Sequence, residues 1–179
     1  MQFAKDSFFL ALQQRLAGLN PARTVTLNGT TVPAVVVVEN LPPTTADPML
    51  NTFYIEWGKA EVVRGHTGTA PLIGLDVFIS YYTLGTVASM VDRGRLLAQL
   101  DDELLSICQP PNAGKQDYTQ SPSMDLGTSV FWAQPSFGEG KGSGMFRERI
   151  AGATEDQYDA RLQRNVKLTM YFFPEVTLS

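Results

Sequence analysis

The sequence predicts an α+β domain in which a mostly antiparallel sheet is packed by two helices and carries a long extension near its C-terminus. Three observations lead there. Two segments repeat their apolar residues with a helical period, the stretches between and after them alternate with a period of two, and the last two alternating segments are separated by an insert, Ser136 to Asn165. With 179 residues and 44% hydrophobic content, the chain is the size of one domain, and a domain of that length buries roughly 70% of its unfolded surface. No change of composition divides residues 1–179, so one domain with one arm, residues 136–165, is expected.

The first helix is expected over Lys5 to Leu19, where Phe9, Leu12, Leu16 and Leu19 recur at three and four residues before Asn20-Pro21 stops it. Thr24 to Leu27 and Thr30 to Glu39 flank Asn28-Gly29, a pair that accepts positive φ at both turn positions and so favours a tight hairpin. The unbroken valines 35–38 fit a strand covered on both faces, which places it centrally in the sheet. Leu41 to Pro48 holds three prolines and reads as a loop.

Phe53, Ile55 and Trp57 then alternate with Tyr54 and Glu56 in a strand that continues toward Val63. Arg64 to Pro71 is a polar turn. Ile73, Leu75, Val77, Ile79 and Tyr81 line one face of the next strand. A second helix is expected from Val87 to Cys108, with Met90, Leu97, Leu100, Leu104 and Ile107 on one side and Arg93, Arg95, Asp102 and Glu103 facing away; Pro110-Pro111 ends it. Residues 112–127 show no period and read as irregular. The closing strands are Thr128 to Gln134 and Arg164 to Val176, with Val166, Leu168, Met170, Phe172 and Val176 on a shared face.

Charge and cysteine content narrow the functional classes. A net charge of −4, with no dense Lys/Arg run, argues against gripping nucleic acid through its phosphates. An acidic wall would still let DNA slide past. The single cysteine, Cys108, excludes an internal disulfide and leaves nothing with zinc-ligand spacing. No stretch reaches the ~18 apolar residues of a membrane span, and no leader pattern opens the chain. The chain is expected to be made and kept in a reducing cytoplasm, or released from it by lysis.

Residues that suggest chemistry are outweighed by plainer readings. His66, the single histidine, lies in the turn Arg64-Gly65-His66-Thr67-Gly68. Asp101-Asp102-Glu103 diverge around a helix axis and so read as a solvated face rather than a carboxylate pair. Gly138 to Gly144 fits neither phosphate-loop nor dinucleotide spacing; glycines at alternate positions there give an arm freedom to swing. Trp57 and Trp132 read as core or subunit contact, and Cys108 as a small buried hydrophobe. No catalytic residue, cofactor or metal site is expected, and the contacts expected of the arm are Phe137, Met145, Phe146, Arg147, Arg149 and Ile150.

The order of elements, together with the helix Asp92-Arg93-Gly94-Arg95-Leu96-Leu97-Ala98-Gln99-Leu100-Asp101-Asp102-Glu103-Leu104-Leu105 and the closing strand Val166-Lys167-Leu168-Thr169-Met170-Tyr171-Phe172-Phe173-Pro174-Glu175-Val176, resembles the tail-terminator (tail-completion) proteins of long-tailed bacteriophages. The resemblance implies a non-enzymatic virion subunit that assembles with itself into a six-membered ring at the head-proximal end of the tail tube. Its implied partners are the tube and sheath proteins and the head connector, with DNA only as a passing strand in the lumen and no membrane. It implies no cofactor and carries over no functional residues. The Gly-rich arm is longer than that pattern requires, which leaves open another neck, connector or tube subunit. A small-molecule-binding or enzymatic α+β domain with a lid loop is the reading from another class.

Overall fold

The computed structural model describes residues 1–41, 48–65, 67–68, 70–84, 94–138 and 161–175. Among them are two helices, α1 (Gln2–Leu19) and α2 (Arg95–Ile107), and nine strands: β1 (Thr24–Leu27), β2 (Thr30–Pro33), β3 (Val35–Val37), β4 (Phe53–Val62), β5 (Ile73–Leu84), β6 (Asn112–Asp117), β7 (Met124–Trp132), β8 (Ser136–Phe137) and β9 (Arg161–Phe172). β1 and β2 form a separate two-stranded ribbon. The other seven make one sheet of order β3-β4-β5-β9-β7-β6, with β8 also paired to β9. All its pairings are antiparallel except that of β3 with β4, so the expected α+β architecture is the one observed.

The hairpin turn forms where the Asn-Gly pair places it, with φ of 49° at Asn28 and 80° at Gly29. β5 and β9 form the centre of the sheet, paired along their whole length from Ile73↔Phe172 to Leu84↔Arg161. Their alternation puts Leu75, Val77, Ile79 and Tyr81 with Val166, Leu168, Met170 and Phe172 on the buried face. There α2 lays down Leu97, Leu100, Leu104 and Ile107. Burying four such side chains stabilises by about 1.5–3 kcal/mol each relative to leaving them in water.

α1 lies in the seam between the two edges of the curled sheet, in contact with β3 on one side and β6 on the other. Its side chains satisfy backbone groups at both edges. Gln13 donates to the Val35 carbonyl at 3.0 Å, Arg15 donates to the Asn112 carbonyl at 2.6 Å, and Ser7 accepts from the Gln116 amide at 3.0 Å. Phe8 bridges the two walls, edge-on to Trp57 at 6.1 Å and to Trp132 at 5.0 Å. The guanidinium of Arg15 also takes the carbonyls of Ile107 and Pro110, closing the C-terminal end of α2, where a cation is favoured.

Several expectations are corrected. The buried stripe of α1 is Ala4, Phe8, Leu12 and Leu16, while Phe9 is half-buried and Leu19 exposed, because α1 is clasped from both sides. The valine strand is an edge strand; its residues are buried because α1 covers the edge, and Val38 already belongs to a 3₁₀ turn, Val38–Asn40, and is exposed. Residues 112–127 are not irregular: they hold β6, the turn that Asp117 organises through Thr119 and Gln120, and the start of β7. The strand expected from Thr128 begins at Met124, and the closing strand begins at Arg161 and ends at Phe172. The expected start of the second helix, with Met90 and Arg93, lies outside the described residues, as does Val176.

Glu103 does not face away. It is 7% exposed, and its carboxylate accepts from Arg23 Nε and Nη2 at 2.8 Å and from Asn20 Nδ2 at 2.8 Å, joining α2 to the chain that links α1 to β1. The Asp101-Asp102-Glu103 run diverges as expected, but only Asp102 is solvated.

Candidate functional site

The connection between β8 and β9 springs from the middle of the sheet. The chain runs antiparallel to β9 through Phe131↔Tyr171, Trp132↔Met170, Ser136↔Lys167 and Phe137↔Val166, and the Gly138 amide then donates to the Asn165 carbonyl at 3.1 Å. Phe137 is half-buried and packs on the core, so the ring anchors the root of the connection. The other expected contact residues, Met145, Phe146, Arg147, Arg149 and Ile150, lie outside the described residues.

The outgoing side of the root is latched to α2. Arg164, on the inner register of β9, donates Nε to Asp101 Oδ1 at 3.2 Å and Nη2 to Oδ2 at 2.8 Å, and the Tyr81 hydroxyl donates to the same Oδ1. Tyr81 is fully buried, edge-on to Phe53 at 5.2 Å. Burial, then the Asp101 carboxylate, push its hydroxyl far above the ordinary tyrosine range. The hydrogen bond to Asp101 raises the Arg164 guanidinium further, so the guanidinium keeps its charge across physiological pH. Chemically it is a positioning device: a phenol that keeps its proton and a carboxylate held by a guanidinium.

The opposite face of the sheet is open to solvent beside this root. Phe78 is 42% exposed there. Lys167 pairs with Asp76 at 2.8 Å and lies 5.7 Å over the Phe78 ring. Around them Glu56, Tyr82, Gln163, Asn165 and Gly138 line a shallow groove of about 540 Å³. Gly58, at the β-bulge where pairing with β5 shifts, lets the Phe78 ring lie down: a Cβ there would sit 2.7 Å from Phe78 Cε2.

The remaining candidates separate rather than converge. His66 lies outside the described residues. Asp101 and Glu103 are engaged by different guanidinium groups on different sides of α2. Trp132 is core and donates its indole N–H to the Cys108 carbonyl at 2.9 Å, whereas Trp57 is half-buried. Cys108 is buried, which pushes its thiol up to about 12. Among the described residues no three His, Cys, Asp or Glu side chains gather to hold a metal.

Sequence reasoning missed Tyr81, Arg164, Phe78 and Lys167. For Arg164 a signal was present, since it occupies the same period-two register as Val166 and Leu168, where a charge needs a partner. The chain matches no family model and no curated protein.

Proposed function

We propose that this chain is a structural subunit of a long phage tail, forming a ring at the head-proximal end of the tail tube that ends tube growth and joins the tail to the head connector. The observation that carries this reading is the pair of roots from which residues 139–160 depart, β8 paired to the central strand β9 on one side and β9 latched to α2 on the other. A segment rooted there transmits load into the whole sheet, which suits an arm fastening one subunit to the next. A ring of identical subunits uses heterologous contacts that close by rotation, and Met145, Phe146 and Ile150 supply apolar surface for such a contact. The acidic balance suits a lumen through which DNA passes.

The test compares the full chain with a variant whose residues 139–160 are replaced by a Gly/Ser linker. Gly138 lies opposite Asn165, so the linker must span the four residues back to Arg161, roughly 14 Å at 3.4 Å per residue, and about eight residues suffice. The full chain is expected to decorate tail-tube ends in electron micrographs and to sediment with tubes. The shortened chain is expected to keep its fold and lose both. Failure of the full chain to bind tube ends overturns the reading.

A further inference from the structure

A second groove lies at the seam, between the first turns of α1, the 3₁₀ turn after β3, and β4. Its volume is about 270 Å³. Phe9, Trp57 and Tyr118 line it with Leu10 and Val37, and the carboxylates of Asp6 and Glu39 stand on different elements at its rim. Glu39 is exposed and has no ion pair among the described residues. Among the described residues Asp6 accepts only the Gln2 amide, at 2.8 Å. Lys5 places its ammonium 5.2 Å from the centroid of the Trp57 ring, so the indole face is already used as a cation acceptor.

We infer that this groove is a docking site for an arginine-bearing segment of a partner protein, with the guanidinium at Glu39 and Asp6 and its alkyl stem along Phe9 and Tyr118. The groove complements such a segment in charge and in shape. Two carboxylates against one ammonium leave a net negative rim, while the floor is aromatic and aliphatic. Arginine carries a weakly hydrated planar cation that stacks on rings and forks onto carboxylates, and its stem covers apolar surface. An acidic or purely apolar segment would leave the rim charges uncompensated. The inference does not depend on the tail reading, since every residue it uses belongs to the body of the domain.

The probe is a capped hexapeptide of alternating arginine and leucine, titrated into the ¹⁵N-labelled full chain, with the glutamate–leucine analogue as control. The Trp57 indole N–H signal, assigned with Trp57→Phe, is expected to move saturably with the basic peptide while the buried Trp132 signal stays in place. The double variant Asp6→Asn/Glu39→Gln is expected to weaken binding at least tenfold, its unmoved Trp132 signal reporting an intact fold. Lys5→Met, which clears the indole face of a competing cation, is expected to tighten it. No saturable shift with the basic peptide, an equal response to the acidic one, or full binding by the double variant overturns the inference, as does loss of binding in Lys5→Met.

Discussion

Replacing Glu103 with alanine tests whether two helices and a hairpin are held together by a charge that the helical pattern places in solvent. The substitution strips Arg23 of both its charge-assisted hydrogen bonds and Asn20 of one. The Arg23 and Glu103 side chains are 15% and 9% exposed. Breaking a fully buried pair costs about 3–5 kcal/mol, and because Arg23 can recover part of its hydration the expected loss is about 2–3 kcal/mol. For a domain of this size each kcal/mol lowers the midpoint by roughly 2–4 °C, so thermal unfolding followed by circular dichroism should shift down by about 4–12 °C. Asp102→Ala, one residue away but exposed, should stay within about 0.5 kcal/mol of the parent. If the two variants melt together, the clamp contributes nothing and the reasoning fails.

The same clamp fixes a pH dependence. Burial by itself raises the Glu103 carboxyl, but the hydrogen bonds from Arg23 and Asn20 outweigh it and leave it below the ordinary glutamate value. A depressed folded-state pKa means stability that is fully present above the unfolded value of about 4.3 and is lost as the pH falls through the lower folded value. The gap in midpoint between the parent and Glu103→Gln should therefore be constant near neutrality and narrow below roughly pH 4. A gap that widens on acidification would contradict the sign.

Phe8→Ala removes the ring that joins both walls of the seam, and from a site with 0% exposure it should cost about 3–5 kcal/mol in urea unfolding. Gly58→Ala forces a Cβ against Phe78 Cε2 at 2.7 Å and the Asp76 backbone oxygen at 3.1 Å; a loss of about 1–3 kcal/mol is expected, with Phe78→Ala in the same chain restoring only part of it because the backbone contact remains. Cys108 should resist a disulfide reagent at pH 8 in the native protein and react at the ordinary thiol rate in denaturant, because burial keeps it protonated; rapid native labelling would refute its placement.

What was legible in the sequence follows from how much each element depends on its neighbours. β5 and β9 carry their own period, since one face packs and the other is more open, and the Asn28-Gly29 turn specifies its geometry locally. β6 carries no such signal: Asn112-Ala113-Gly114-Lys115-Gln116-Asp117 becomes a strand because Arg15 and Ser7 take up its edge and β7 pairs with it. Its buried Lys115 even opposes the pattern, its amine held by the Phe173 carbonyl at 2.8 Å. Glu103 was readable after all. It stands three residues after Leu100 and four before Ile107, inside the stripe that packs, and only the habit of assigning acids to the wet face hid it. At the candidate site, pairing around Phe137 was implied by alternation, whereas the meeting of Tyr81, Asp101 and Arg164 needed tertiary register.

That register has a mechanical meaning. β9 is paired to β5 at every one of its positions from Arg161 to Phe172, and such continuous ladders open last in a fold. A pull on the connection from its C-terminal side meets Arg161 paired to Leu84, then the ion pair of Arg164 with Asp101, and only then the remaining ladder. On its N-terminal side the chain is held more lightly, by Gly138 on Asn165 and two residues of β8. The two roots are therefore unequal. Under load the β8 side should peel first, so amides of Phe137 and Gly138 should exchange faster than those of Leu162 to Val166 in hydrogen-exchange measurements. Asp101→Asn should narrow that difference by weakening the stronger root, and equal protection of both roots in the parent would remove the mechanical argument.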